Sequence, residues 1–277
     1  MYVQTVLTNN KTGQDVPDNF RKALAFGGYA AKTVVYCLLG VLIISAAAGS
    51  IRSDTPSQKS VFISLLSQPF GQTLLGLVII GMACYVLWRF TQALLNADNL
   101  NNDAKGIVMR LFYFVSGILY TTGTYLAIKV FLGARSDSGQ SSSEQMSSSL
   151  MQQTWGWWVV LIGGGLIITF SVIQFRHAFK ADFMDKFELT AMTEALKKVA
   201  RIVGRAGFFA RGVVYILVGS FFVHAALVSN PQQAGGLKEA LNTIMQQPFG
   251  QIGVIVVGAG FFTFGLFCAL ESRYHKT

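Results

Sequence analysis

Long apolar stretches alternate with short polar segments along this chain, and six of the stretches have the length of a membrane span. They lie near residues 24–49, 70–95, 108–132, 155–179, 206–229 and 249–271. A helix needs roughly 20 apolar residues to cross the hydrocarbon core of a bilayer. The stretches are continuously apolar, which is not the alternating pattern of a transmembrane β-barrel. The sequence therefore predicts an all-α, polytopic membrane protein with six transmembrane helices.

The polar segments between the stretches contain a repeat. The phrase Gln-Pro-Phe-Gly-Gln occurs at Gln68–Gln72 and again at Gln247–Gln251, and a divergent copy occupies Gln153–Gly156. Each copy follows a tyrosine of the preceding apolar stretch by 32 or 33 residues, and these tyrosines are Tyr36, Tyr120 and Tyr215. Because internal repeats define architecture, we expect three tandem hairpins of two helices, arranged with pseudo-threefold symmetry about an axis normal to the membrane.

The repeats also predict how the chain is divided. A polar cytoplasmic tail takes up residues 1–20, and the three repeats occupy residues 21–104, 105–182 and 201–277. Between the second and third repeats, apolar residues recur at helical spacing. Residues 183–200 are therefore predicted to form an amphipathic linker helix on the cytoplasmic surface.

The distribution of charge orients the predicted spans. Charged residues make up 13% of the chain, against about 25% in soluble domains. With both termini in the cytoplasm, 17 of the 22 lysines and arginines lie on the inner side. The positive-inside rule therefore predicts an N-in, C-in orientation. The net charge of +9 follows from this asymmetry, and it indicates contact with anionic lipids on the cytoplasmic side rather than nucleic-acid binding.

The first helix of each hairpin carries a stripe of residues with a step of four. The stripe comprises Gly28, Lys32, Tyr36 and Gly40 in the first repeat, Phe112, Ser116, Tyr120 and Thr124 in the second, and Gly207, Arg211, Tyr215 and Gly219 in the third. Residues at this spacing share one slowly rotating helix face. One interpretation is that the three tyrosines, with Lys32 and Arg211, line an axis or cavity. The alternative is structural: the glycines let helices approach closely, and the two basic side chains snorkel to the headgroups.

The second helix of each hairpin has polar groups at both ends. Gln68, Gln153 and Gln247 precede it, and they either cap the turn or form a ring of amides around an outer mouth. Near its inner end, the repeat makes three further residues equivalent, namely Gln92, His177 and Glu271. These residues either end the helices and pair with nearby loops or form an inner polar constriction.

No motif in the sequence points to an enzyme, a cofactor or a metal. We find no phosphate-binding loop, dinucleotide fingerprint, HExxH or Gly-x-Ser-x-Gly. The cysteines Cys37, Cys84 and Cys268 fall inside predicted spans, with no CxxC pair or His/Cys cluster. We therefore expect a non-enzymatic protein with no cofactor and no metal site.

Three phrases carry a resemblance to a known family. Gly-Tyr-Ala-Ala-Lys-Thr-Val-Val-Tyr at Gly28–Tyr36, Gln-Pro-Phe-Gly-Gln, and Tyr-Val-Leu-Trp-Arg at Tyr85–Arg89 resemble a bacterial membrane family catalogued as domain of unknown function 1206. The resemblance extends over residues 21–276, and the second repeat departs from it at Ser116 and Thr154. It implies a bacterial inner-membrane protein in which a two-helix unit occurs three times, and it supplies no activity.

Two functions are consistent with these features. The apolar composition favours a membrane scaffold or a binding protein for a lipid, a hydrophobic ligand or a partner subunit. The alternative is a channel or facilitator for a small solute or ion, with its path along the pseudo-threefold axis and near the three tyrosines.

Overall fold

The computed structural model describes residues 18–48, 58–97, 100–101, 103–133, 142–153 and 155–274. Residues 1–17 of the predicted polar tail lie outside these ranges, and so does Thr154. Within the described ranges the chain forms nine α-helices: α1 (Asp18–Ala47), α2 (Gln58–Leu66), α3 (Gly71–Leu94), α4 (Ala104–Phe131), α5 (Ser142–Met151), α6 (Gly156–Lys180), α7 (Glu194–Leu227), α8 (Leu237–Met245) and α9 (Gly250–Tyr274).

Six of these helices are long and apolar enough to cross a membrane, namely α1, α3, α4, α6, α7 and α9. They expose large apolar side chains such as Leu77 on α3, Ile107 on α4 and Ile162 on α6. An extensive apolar surface of this kind marks a face that lipid or protein covers. The predicted all-α fold with six membrane helices is confirmed, and the protein is a multi-pass membrane protein in contact with the bilayer. The N-in, C-in orientation stays a prediction.

The repeated Gln-Pro-Phe-Gly phrase forms the turn between a short helix and the second membrane helix of each unit. The helices α2, α5 and α8 end just before it, and α3, α6 and α9 begin at its glycine. The amide of this glycine donates, over 2.8 to 2.9 Å, to the carbonyl of the glutamine three residues earlier, which is Gln68, Gln153 or Gln247. A Cβ on Gly71 would lie 2.2 Å from the carbonyl oxygen of Leu66. Gly156 and Gly250 are equally confined by backbone, so the turn accepts no side chain at this position.

The segment between the second and third units differs from the prediction. Residues 183–200 do not form a separate helix: the 3-10 segments Asp182–Lys186 and Leu189–Ala191 precede α7, which begins at Glu194 and continues without a break into its membrane span. Phe183 and Phe187 are buried, with ring centroids 5.0 and 5.5 Å from that of Phe267 on α9. The apolar spacing therefore reflects packing against the bundle and not an amphipathic helix on the membrane surface.

The membrane helices pack in a regular order. The first helix of the second and third units packs along the second helix of the unit before it: α4 along α3, and α7 along α6. The order is closed into a ring because α1 of the first unit packs along α9 of the third. Within a unit, α1 packs on α3 and α7 packs on α9, but the backbones of α4 and α6 scarcely approach each other. The second unit is therefore open where the first and third units are closed.

One position of the stripe explains why the two helices of the second unit lie further apart than those of the other units. At Gly28 an added Cβ would lie 2.7 Å from the Cβ of Tyr85, and at Gly207 it would lie 2.6 Å from the Cβ of Phe264. In both units the glycine lets the two helices approach so closely that a side chain at this position would clash. The equivalent residue of the second unit is Phe112, and its ring stacks on that of Phe170 with centroids 4.4 Å apart and planes inclined by 5°. Two rings thus occupy the space that a glycine leaves for close backbone approach, and they hold α4 and α6 apart.

Candidate functional site: a buried basic and aromatic cluster

Polar residues of the stripe meet aromatic residues of the second helices inside the bundle. We call this set the central cluster, and it comprises Lys32 and Tyr36 on α1, Tyr85 and Arg89 on α3, Tyr120 on α4, Arg211 and Tyr215 on α7, and Phe264 and Glu271 on α9. The rings of Tyr85 and Tyr120 are 4.6 Å apart, and those of Tyr36 and Phe264 are 4.8 Å apart. The structure therefore brings together the five residues that the sequence proposed for an axis or cavity. Whether they line a path stays a prediction.

The Lys32 side chain is turned into the bundle. It is 7% exposed, and its ammonium donates a hydrogen bond of 3.2 Å to the Tyr85 hydroxyl. The same nitrogen lies 4.4 Å from the centroid of the Tyr85 ring and 5.4 Å from that of Tyr120. A cation over an aromatic face is attracted by the ring quadrupole, most strongly away from water. Lys32 therefore does not snorkel to a headgroup.

Arg211 is buried among aromatic rings. It is 5% exposed, and its guanidinium carbon lies 4.1 Å from the centroid of Phe264 and 5.4 Å from that of Tyr36. One Nη donates to the Tyr215 hydroxyl over 2.7 Å, and within the described residues its buried Nε has no hydrogen-bond partner. A tyrosine hydroxyl is thus the hydrogen-bond acceptor of a buried guanidinium, which is an unusual arrangement because buried charges are normally paired.

Arg89 adds a third basic group at the edge of the cluster. Its Nε donates to the Tyr85 hydroxyl over 2.7 Å, and one Nη donates to the side-chain carbonyl of Gln92 over 2.8 Å. The Tyr85 hydroxyl therefore accepts hydrogen bonds from both Arg89 and Lys32. This single phenol joins the basic groups of α1 and α3.

Positive charge exceeds negative charge in the cluster. Of the described residues, the buried side chains that carry charge are Lys32, Arg211 and Glu271, and Arg89 is half-buried. Glu271 is 6% exposed, hydrogen-bonds to Tyr29 and interacts electrostatically with Lys32. Among the described residues, the cluster therefore holds one carboxylate and three cations in a region of low dielectric constant.

The three residues proposed for an inner constriction are divided between two places. Gln92 and Glu271 belong to the network around Tyr85 and Lys32. His177 instead hydrogen-bonds to Asp182, which also forms an ion pair of 3.2 Å with Arg176. Partial burial raises the pKa of the Asp182 carboxyl, but the hydrogen bond from His177 and the charge of Arg176 outweigh it and hold this pKa below its ordinary value. His177 therefore fastens the end of α6 to the following 3-10 segment.

The glutamines proposed for an outer mouth are exposed. Gln68, Gln153 and Gln247 each serve their own turn through the backbone, as described above. The side-chain amide of Gln247 donates locally, to the carbonyl of Thr243 over 3.5 Å. A backbone hydrogen bond closes the turn at each glutamine, and both the capping role of the glutamine and the ring of amides stay predictions.

The second unit is the uncharged part of the site. Ser116 replaces the basic residue of the stripe and is buried. Gln174 stands where the first unit has Arg89, counting from the glycine of the turn, and it is buried with no hydrogen-bond partner for its side-chain oxygen among the described residues. The nearby Ser171 hydroxyl donates to the carbonyl of Gly212 over 2.8 Å and so ties α6 to α7.

The repeat pattern did not single out Tyr85, Arg89 or Phe264 as members of the site. The available signal was the repeat itself: Tyr85, Phe170 and Phe264 each follow the glycine of the turn by fourteen residues. Only the packing of the second helices against the stripe shows that these aromatic positions enclose the basic groups.

Comparison with known proteins supplies a relative and a family. A protein of Bacillus subtilis (strain 168), named Uncharacterized protein YxxB, is 28% identical over 251 residues, which cover 90% of each chain. No solved structure matches the chain significantly. The family described as Domain of Unknown Function (DUF1206) matches three times, at residues 27–96, 111–181 and 206–275, and the chain therefore belongs to this family.

Proposed function

We propose that this protein is a membrane-embedded binding protein that holds an anionic group, of phosphate or carboxylate type, at the central cluster. The observation that carries the proposal is the buried guanidinium of Arg211, which has a phenol for its hydrogen-bond acceptor and an Nε without a partner. Glu271 interacts with Lys32 on the other side of the cluster.

The energetics of buried charge support this role. An ionisable side chain at membrane depth is costly, and such residues mark ligand sites or pathways. Arginine offers several N–H donors in a planar fork that matches carboxylate and phosphate oxygens. The three cations and the hydroxyls of Tyr36, Tyr120 and Tyr215 supply attraction and further donors for one anion. An anion at this place would neutralise the excess positive charge and satisfy the orphaned Nε.

Binding is tested by the thermal unfolding of purified protein in a neutral detergent. We expect anionic compounds to raise the unfolding midpoint of the wild type, because a ligand that binds the folded state stabilises it. A hydrogen bond to a charged group contributes about 1.5–3 kcal/mol, so Arg211→Gln is expected to weaken anion affinity by about 10- to 100-fold. The control is Arg201→Gln, since Arg201 is exposed on the same helix. Equal anion-induced shifts in the two variants would contradict the proposal.

The convergence of the three tyrosines supports a second candidate, a channel or facilitator for a small anion. The two functions differ in transport. Proteoliposomes loaded with an anion-sensitive dye should show saturable binding without flux if the protein is a binding protein. A flux that falls on replacing Tyr36, Tyr120 and Tyr215 by phenylalanine would favour the channel.

We further propose that the three units surround a pseudo-threefold axis in a bacterial inner membrane, with both termini in the cytoplasm. The repeated packing order of α1, α4 and α7 supports the symmetry, and the distribution of basic residues supports the orientation.

The orientation is tested by labelling single cysteines in a background without Cys37, Cys84 and Cys268. We expect a membrane-impermeant maleimide to label Gln232→Cys in intact spheroplasts, and to label Lys198→Cys only after the membrane is permeabilised. Both parent residues are exposed: Lys198 lies near the start of α7, and Gln232 lies in the 3-10 segment Pro231–Gln233 that follows its end. The reverse labelling pattern would show an N-out protein.

A further inference from the structure

The gap between α4 and α6 adjoins the central cluster through a pair of stacked rings. Phe112 and Phe170 stack across it, and the Phe170 ring lies 5.4 Å from that of Tyr215. The Tyr215 hydroxyl in turn accepts the hydrogen bond of 2.7 Å from Arg211. A series of contacts therefore runs from the half-buried Phe112–Phe170 pair to the guanidinium of Arg211.

The second unit adds no charged side chain to the central cluster. The basic groups of the cluster belong to the first and third units, and the second unit contributes Tyr120. Tyr120 and Tyr215 are half-buried, unlike the buried Tyr36. The buried polar residues Ser116 and Gln174 of the second unit are also uncharged.

The outer surfaces of α4 and α6 suit hydrocarbon. Leu111 and Ile118 on α4, and Leu166 on α6, are large, apolar and exposed. A water-soluble anion makes no favourable contact with these apolar flanks. An amphiphile interacts favourably with both the flanks and the cluster, because its acyl chains stay in an apolar environment while its headgroup reaches a cation.

We propose that the ligand of the central cluster is an anionic lipid, which enters sideways from the bilayer between α4 and α6, past the Phe112–Phe170 pair. This inference rests on the proposed function and names the ligand class. The lipid headgroup binds at Arg211, and the acyl chains lie in the gap between α4 and α6. The substitution of a stripe glycine by Phe112 is the feature of the second unit that keeps this entrance open.

The test compares three changes on α4. Phe112→Gly restores the residue found at Gly28 and Gly207, so α4 and α6 can close as the helix pairs of the other units do. Phe112→Leu removes the ring stack and retains an apolar side chain. Leu111→Gly places a glycine at the adjacent, exposed position and serves as the matched control for the loss of helix propensity.

The readout is the binding and exchange of lipid in detergent-purified protein, followed by native mass spectrometry and thermal unfolding. The probes are phosphatidylglycerol, phosphatidylcholine of the same acyl composition, and glycerol 3-phosphate as the soluble headgroup. We expect the wild type to retain phosphatidylglycerol over phosphatidylcholine by at least about tenfold, which is one decade of affinity. Phe112→Gly should lower phosphatidylglycerol occupancy or slow its exchange by a similar factor, and Phe112→Leu should speed the exchange.

Three outcomes would overturn the inference. If Phe112→Gly behaves like Leu111→Gly while Arg211→Gln still weakens phosphatidylglycerol binding, lateral entry is wrong and anion binding stands. If glycerol 3-phosphate stabilises the wild type as well as phosphatidylglycerol does, the ligand is a soluble anion. If a second copy of the chain occupies the α4–α6 face and lipid does not exchange, the gap is a protein interface. Absence of any Arg211-dependent binding would instead remove the proposed function itself.

Discussion

Glu271→Gln is expected to destabilise the protein more than any other single change in the central cluster. Glu271 is the buried carboxylate that interacts with the ammonium of Lys32, and the two side chains are 6% and 7% exposed. The substitution removes the negative charge that acts on Lys32 and alters the hydrogen bond with Tyr29, and the loss of a hydrogen bond to a buried charged group costs about 1.5–3 kcal/mol. The loss should appear as a lower unfolding midpoint in detergent and as reduced yield of monodisperse protein.

Two controls make this result specific. Glu188→Gln removes an exposed carboxylate at the same end of the bundle and should change the midpoint little. The double variant Lys32→Met, Glu271→Gln removes both charges and should recover part of the lost stability, because the ammonium is no longer buried without that carboxylate. If Glu271→Gln and Glu188→Gln unfold at the same temperature, the carboxylate does not compensate the cluster.

Gly207→Ala is the second change with a large expected effect. The new Cβ would lie 2.6 Å from the Cβ and 2.7 Å from the Cα of Phe264. The Phe264 ring is itself fixed against Tyr36 and Arg211, so α7 and α9 must move apart. Overpacking of this kind costs typically about 1–3 kcal/mol. We also expect the anion affinity of the cluster to fall, since Phe264 would shift with α9.

The same substitution elsewhere in the bundle provides the control. A Cβ on Gly163 of α6 would meet no atom within 4 Å. Gly163→Ala should therefore be neutral or stabilise the protein by up to about 1 kcal/mol, the difference in helix propensity. Thermal unfolding of the two variants side by side measures the contribution of close helix approach at Gly207. Equal midpoints would mean that the α7–α9 contact tolerates a methyl group.

The membrane helices and the turns before their second members were predictable from the sequence. The length and the continuous hydrophobicity of a span follow from bilayer thickness, so both can be recognised directly in the amino-acid sequence. The turn was recognisable because its glycine is required locally: the carbonyl of Leu66 leaves no room for a side chain at Gly71. A constraint between residues five apart in the chain appears as a short motif.

The linker and the composition of the cluster were not predictable in the same way. The helical spacing around Phe183 and Phe187 is shared by amphipathic surface helices and by segments packed beneath a bundle, and the contact with Phe267 on α9 decides between them. His177 looked equivalent to Gln92 and Glu271 by position. A hydrogen bond to Asp182 instead holds His177 at the end of α6. The repeat pattern does not predict this local pair.

The sequence by itself determined that this is a six-span membrane protein made of three similar units, with two basic residues and three tyrosines at equivalent positions. Membrane thickness, helix periodicity and internal repetition each produce a pattern in the order of residues, and such a pattern can be recognised without the structure. The tertiary structure alone decided that Lys32 and Arg211 turn inward, that Glu271 compensates only part of their charge, and that the second unit is open. These features depend on which helices come into contact. In the second unit, Phe112 stands where the other units have a glycine, and its ring stacks on Phe170, so α4 and α6 do not pack closely.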